Sequence, residues 1–410
     1  MSTLQNPWSL PLETLDPSNA ELFENDWHHE YFKRLRKEDP VHWSPTGPSG
    51  GYWSITKFND IVEIDKNFKV FSSEGNIVIG DAPEDFNPPT FIAKDPPVHN
   101  IQRKAAAPAV APPRLAELEA VIRQRTAKVL DSLPIGEEFD WVESVSVELT
   151  TLFLATLFGF PLEDRRLLTK WSDATTSSPV VGNTSMGEEE RQASLMECLA
   201  YFQKLWVERA AEPAKFDFIS LMAHNPNTAD MINDPMDFLG NLMLLIVGGN
   251  DTSRNSMSAG VWLLDQFPKQ LEKLKADHSL IPNMVSEIIR YQTPLGHMRR
   301  TATEDIEFGG KQIKKGDRVV MWYVSGNRDE EVITDADEFI IDRDRARHHL
   351  SFGFGIHRCM GNRAAEMQIR ILWEEILKRF GSIEVTAPPV RSESNFVMGY
   401  EQLKVTLTSL

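Results

Sequence analysis

The chain has 410 residues, enough for a large core, and by length alone would suggest two or three domains. Its net charge of -17 argues against nucleic acid, whose binding rests on cationic neutralisation of phosphates. Apolar and charged content are ordinary for a globular protein, and neither a membrane-spanning apolar run nor a signal-peptide pattern is seen, so a cytoplasmic protein without a membrane anchor is expected. In chain order, residues 21–37 read as an amphipathic helix. Residues 41–44 and 52–56 are strand-like and split by a Pro/Gly/Ser turn at 45–51, a small β region near the N-terminus.

Residues 71–97 are loop-like, with Gly75, Gly80, Pro83, Pro88, Pro89, Pro96 and Pro97. Yet they carry Ile77, Val78, Ile79, Phe86, Phe91 and Ile92, and long loops in compact domains tend to be lids or binding loops. Pro96-Pro97 suits a helix start, after which His99 and Arg103 share a face. Residues 115–132 and 142–158 read as helices, the second apolar enough to be buried. Residues 162–171 look helical, 172–187 are small and polar around Pro179, Val180 and Val181, and 188–211 resume helical periodicity. Cys198, within 193–200, reads as a small packed apolar residue.

The longest predicted helix spans 235–267, almost continuously apolar from 238 to 247. It then meets Gly248-Gly249-Asn250-Asp251-Thr252. Two glycines inside a helix cost about 1 kcal/mol each against alanine, so they need a reason. Gly248 and Thr252 share a face, with Leu244 and Leu245 a turn earlier. A missing side chain leaves a groove, and a threonine hydroxyl can bond back and bend the helix. Within 282–291, Glu287 and Arg290 are placed to pair. Residues 306–308, 311–313 and 318–323 read as strands of a small sheet. Residues 382–385 and 403–407 read as a second β pair, and 395–399 as a turn carrying Phe396, Val397 and Met398.

Between them lies Phe352-Gly353-Phe354-Gly355-Ile356-His357-Arg358-Cys359-Met360-Gly361, followed by a predicted helix from 360 to about 380. A cysteine just before a helix sits among unpaired backbone N–H groups and the positive end of the dipole. Its pKa is therefore expected below about 8.5. Gly355 and Gly361 are read as clearing space for a flat ligand near the backbone. Such a thiolate could be a nucleophile or a metal ligand.

In the order Phe352, Gly355, His357, Cys359, Gly361, this stretch resembles the haem-binding signature of the cytochromes P-450. The resemblance implies a mainly α fold with small β-sheets in a single domain, 1–410, with haem between the long central helix and the helix after the cysteine loop. It implies that Cys359 is the axial thiolate of haem b, which favours O–O cleavage. No disulfide is then available within the chain, which fits a reducing compartment. His99, Arg103 and Arg300 are implied as propionate ligands, with Arg299 a rival to Arg300. Phe352, His357, Gly361 and Gly248 are implied at the cofactor. Thr252 and Asp251 match the family's oxygen-activation pair, Asp251 relaying protons from solvent. Glu287, Arg290 and Arg343 match a structural triad. The loop 71–97, the lid around 172–187 and the run 293–298 are expected to surround substrate, with Ile77, Val78, Leu244, Val247, Leu295, Met298 and Phe396 as wall residues.

The expected function is C–H hydroxylation of an apolar substrate using O₂. Nothing in the chain resembles an added flavin or iron–sulfur domain. Electrons are therefore expected from NAD(P)H through a ferredoxin reductase and a ferredoxin, to a monomeric enzyme of bacterial type. The runs 248–256 and 356–376 are similar to the branch that hydroxylates medium-chain alkanes and fatty acids at the terminal carbon. A terpene or other bulky apolar substrate, and a haem sensor or carrier without turnover, are the alternatives. A peroxide-driven or isomerising enzyme is disfavoured by the intact Asp251-Thr252 pair. Arg343, Arg345, Arg347, Arg358, Arg363, His348, His349 and His357 form a basic island, expected in part to dock an acidic electron donor.

Overall fold

The computed structural model describes residues 5–81 and 86–410, so Pro83 lies outside the described residues. Its elements begin with α1 (Glu21–Glu24), α2 (His28–Glu38), β1 (Val41–Ser44), β2 (Tyr52–Ile55), α3 (Phe58–Lys66) and β3 (Phe71–Ser72). After the long loop come α4 (Val98–Ala106), α5 (Pro112–Asp131), β4 (Phe139–Asp140), α6 (Glu148–Phe158), α7 (Arg166–Thr176), α8 (Glu188–Ala211) and α9 (Phe218–His224). Then follow α10 (Pro235–Gln266), α11 (Pro268–Ala276), α12 (Ile281–Gln292), β5 (Met298–Ala302), β6 (Ile306–Phe308), β7 (Lys311–Ile313), β8 (Arg318–Met321) and α13 (Tyr323–Gly326). The chain closes with α14 (Asn362–Ile376), β9 (Phe380–Val385), β10 (Val390–Arg391), β11 (Tyr400–Gln402) and β12 (Lys404–Ser409).

The apolar run in 238–247 becomes the buried first half of α10, a helix of 32 residues capped by the Asp234 carboxylate. Its Phe238, Leu242, Leu245 and Ile246 pack among α6, α8 and α9, and its Met257, Val261 and Leu264 among α12 and α14. Thus α10 passes through both halves of the helical core. None of the described helices is long and apolar enough to cross a membrane.

Several boundaries depart from the sequence reading. The helix expected over 21–37 breaks into α1 and α2 at Asp26, which takes a left-handed φ of 63°. The helix expected over 142–158 opens with a π-helical turn, Val142–Val147. The 162–171 helix starts later, at Arg166, because the Asp164 and Arg165 N–H groups close turns onto the Pro161 and Leu162 carbonyls. The final long helix covers only Asn362–Ile376, and Phe380 opens β9. Strand β8 does not join β6 and β7, which pair with each other. With three of its four residues buried, β8 lies inside a five-stranded sheet of order β1-β2-β8-β5-β3. The C-terminal β pair is found as β9 and β12, with β4 added at its edge.

The expected triad forms. Glu287 receives Arg290 at 2.8 Å and Arg343 at 3.0 Å, with the carboxylate wholly buried. Arg290 also donates to the carbonyls of Asn327 and Ala336, each at 2.8 Å. The triad thus ties α12 to the chain leading into the cysteine loop.

Candidate functional site

The cysteine loop is closed by its own backbone: the Cys359 N–H donates to the Phe352 carbonyl at 2.8 Å. Gly355 is required here for a reason other than ligand access. It has a φ of +65°, and a Cβ would stand 2.5 Å from the Asp65 carbonyl. Asp65 on α3 anchors the loop further by accepting from the Phe354 N–H at 2.7 Å. Gly361 meets the expectation: a side chain there would enter open space.

That space is a cavity of about 550 Å³. Cys359, Phe352, Gly361 and His357 border it on one side, and Gly248 and Thr252 of α10 on another. The two adjacent glycines of α10 serve different ends. Gly248 opens onto the cavity, whereas Gly249 lets α10 pack against Leu154 of α6. The Thr252 hydroxyl donates to the Gly248 carbonyl at 3.0 Å, the back-bond expected where a helix yields.

The thiol pKa expectation is overturned. The Gly361 and Asn362 N–H groups and the Arg103 and Arg358 charges pull it down, but burial outweighs them and pushes the Cys359 thiol up. The residue is exposed to the cavity, but the protein crowded around that cavity makes a bare thiolate costly to desolvate.

The structure separates Arg300 from its rival. Alternation along β5 sends Arg299 away from the cavity, to Asp81 at 2.6 Å. Arg300 borders the cavity and is braced by Asp65 at 2.7 Å. Arg103 borders it too, donating to the Arg358 carbonyl. His357 meets Ser73 Oγ at 2.9 Å, and burial lowers its pKa to about 2. His99 does not reach the wall; its ring lies 4.2 Å from that of His357. Both imidazoles keep one buried nitrogen without a partner, His99 Nε2 and His357 Nδ1. Two guanidinium groups and two unsatisfied imidazole nitrogens beside a lone thiol suit a ligand carrying carboxylates and a metal. The donor set therefore fits haem and could hold it.

Asp251 turns away from the cavity, toward α7. It is wholly buried, paired with Arg254 at 2.7 Å and receives the Ser172 hydroxyl at 3.1 Å. Burial raises its carboxyl pKa. Arg254 reaches on to Asp173, a more exposed carboxylate, at 3.3 Å. Ser172 and Asp173 were missed by sequence reasoning, because nothing local marks α7 as the neighbour of α10.

All seven expected wall residues line the cavity: Ile77, Val78, Leu244, Val247, Leu295, Met298 and Phe396. Of the turn 395–399, only Phe396 reaches it. Val397 pairs with Leu295, and Met398 packs into the cluster around Trp322. Val181 brings the expected 172–187 segment to the wall, while Phe153 and Leu157 of α6 also line it and were missed. A buried apolar helix face looks the same in sequence whether it meets core or cavity.

The basic island is thinner than the sequence suggests. Arg343 belongs to the triad, and His349 and His357 are buried. A second, outer groove on the cysteine side is lined by Arg103, Arg347, Arg358 and Arg363, with Glu366 as its one acid.

The model of the cytochrome P450 family matches residues 189–407. Linalool 8-monooxygenase of Pseudomonas putida is 37% identical over 97% of this chain and 99% of its own length. A cytochrome P450-153 from Novosphingobium aromaticivorans is similar in structure, with TM-score 0.88 and 46% identity, covering 98% of this chain and 100% of that one. CYP153D17 from Sphingomonas sp. PAMC 26605 gives TM-score 0.90 and 47% identity, covering 96% of this chain and 98% of that one.

Proposed function

The chain belongs to the cytochrome P450 family and is a monooxygenase, and on that premise we propose that it hydroxylates medium-chain alkanes or fatty acids at the terminal carbon. The observation that carries the reading is a single apolar cavity bordered by Cys359, Gly248 and Thr252 together. Bound haem supplies the reductive activation of O₂ and the transfer of one oxygen atom to a C–H bond, the other leaving as water. Cys359 Sγ would supply its thiolate ligand. Arg103, Arg300 and His357 border the cavity where its carboxylates would be held, His99 packing behind His357, and Phe352, Gly361 and Gly248 would leave room for the ring. The apolar wall keeps water out and holds an alkyl chain by contact alone. The Thr252 hydroxyl, already donating to the Gly248 carbonyl, can instead turn a proton toward the cavity. Asp251 holds the next proton, positioned by Arg254 and Ser172. The similarity of 248–256 and 356–376 to the terminal-hydroxylase branch supports the substrate class. A linear terpene alcohol is the second reading, favoured by the likeness to linalool 8-monooxygenase.

Two measurements test this on the haem-loaded protein. Reduced protein under CO should show a Soret band at the haem-thiolate position. Octane and dodecanoic acid should each yield the terminal alcohol. Conversion of linalool alone would replace the first substrate reading with the second, and no thiolate band would end both.

The alcohol's role has its own expected result. Thr252→Ala should leave the CO spectrum intact yet lower product formed per electron consumed several-fold. Asp251→Asn should slow turnover by about 10²-fold, the low end for a positioned proton donor. Unchanged coupling in Thr252→Ala would remove the threonine from the mechanism.

We assign electron supply to a ferredoxin docking over the outer groove. Support comes from four arginines around one acid on the cysteine side of an otherwise acidic protein. Arg347 lines that groove and meets Glu366 at 3.3 Å, and Arg345, two residues before it, is also exposed. Reversing both charges (R345E/R347E) should slow reduction by ferredoxin at low salt and flatten its salt dependence. A salt dependence identical to wild type would place the partner elsewhere.

A further inference from the structure

We propose that His297 is a specificity-determining residue: it clamps the loop 75–81 to the turn 395–399 and thereby sets where the substrate-facing wall stands. The inference rests on reading the cavity as the substrate pocket. His297 itself is wholly buried and does not border the cavity, so it acts only through others.

Its hydrogen bonds fix one tautomer. The Ile79 N–H donates to Nε2 at 3.0 Å, so that nitrogen carries the lone pair. The proton is then on Nδ1, which donates to the Asn395 carbonyl at 3.1 Å. Burial holds the pKa down to about 4, so the ring stays neutral near pH 7.

Each partner passes the position on. The loop is bonded within itself: Asn76 Oδ1 accepts from the Ile77 and Val78 N–H groups, and its amide donates to the Gly80 carbonyl at 2.7 Å. Holding Ile79 therefore holds Ile77 and Val78, which face the cavity. On the other side, Asn395 is followed by Phe396, also on the wall, whose ring lies 5.2 Å from the imidazole. The Asn395 N–H reaches the Val181 carbonyl at 3.0 Å, extending the clamp to the segment between α7 and α8. Val181, Phe396, Ile77, Val78, Leu295 and Met298 pack as one apolar cluster. Apolar contact has no direction; the Arg299 N–H holds the Ile77 carbonyl at 2.8 Å and the Gly296 N–H holds the Phe396 carbonyl at 2.7 Å, tying loop and turn each to the chain beside β5, and the two imidazole bonds join loop to turn through one side chain. A methylene more or less in an apolar pocket is worth about 10–200-fold in selectivity, so the position of this wall matters.

The test compares His297→Leu with His297→Gln, whose amide can still accept from Ile79 and donate to Asn395. The haem-loaded enzymes are given dodecanoic acid and octane, and terminal and subterminal alcohols are measured. His297→Leu should lower the terminal-to-subterminal ratio about tenfold while the reduced-CO spectrum is kept. His297→Gln should stay within about twofold of wild type. A ratio unchanged in the leucine variant, or shifted equally in both, overturns the proposal. If His297→Leu does not fold, His297→Asn, which reaches one partner only, should give an intermediate ratio, and a wild-type ratio there overturns it. If wild type oxidises neither substrate, the substrate reading has failed and the clamp is judged by hydrogen exchange. The Ile79 amide should be protected in wild type and His297→Gln, and free exchange in wild type overturns it.

Discussion

Cys359→Ser should leave a folded protein with no haem-thiolate band and turnover lowered by about a thousandfold or more, at least ~4 kcal/mol of lost transition-state stabilisation. The substitution changes one atom. The loop keeps its Cys359 N–H bond to Phe352, its Asp65 anchors and its φ +65° glycine. The guanidinium groups of Arg103 and Arg300 still border the cavity. What is lost is a polarisable sulfur that can ionise toward a metal; a serine hydroxyl is far less acidic and makes a harder ligand. Circular dichroism should match wild type, haem should be retained weakly, and the reduced-CO spectrum should lose its thiolate band. Persistence of that band would remove Cys359 from the metal.

Glu287→Gln should be the most damaging change away from the cavity. It leaves Arg290 and Arg343 buried beside a neutral amide, and breaking such a network costs about 3–5 kcal/mol. That is a large part of a typical total of roughly 5–15 kcal/mol. Soluble yield and haem content should both fall, and the thermal midpoint should drop by roughly 4–6 °C if unfolding entropy scales with chain length. Glu287→Asp keeps the charge with a shorter reach and should cost clearly less. Equal losses in the two variants would mean that shape at this site, and not charge, holds the cysteine loop's approach.

What could be read in the sequence was whatever a short spacing encodes. The cysteine stretch, the Gly248–Thr252 step and the Glu287–Arg290 pair each lie within one turn or loop, so their geometry follows from local backbone. What could not be read depends on contact between distant segments. Asp251 and Ser172 meet across 79 residues, so the acid's surroundings were invisible. The Cys359 thiol was misjudged because burial depends on the whole fold, whereas the helix start is local. Gly355 was recognised as necessary but for the wrong partner, since Asp65 lies on α3. His297 lay within the run 293–298 expected around substrate, but as one histidine between a glycine and a methionine nothing marked its role.

Strand β5 divides its labour by odd and even position. His297, just ahead of it, and Arg299 serve the loop 75–81, while Met298 and Arg300 face the cavity. A pleated segment of this kind is indifferent to many substitutions but intolerant of a frame shift. Inserting or deleting a single residue between Thr293 and Arg300 would hand each side chain its neighbour's task, swapping the loop's anchors for the cavity's. A substitution here alters one task at a time, whereas a change of length by one alters all of them at once.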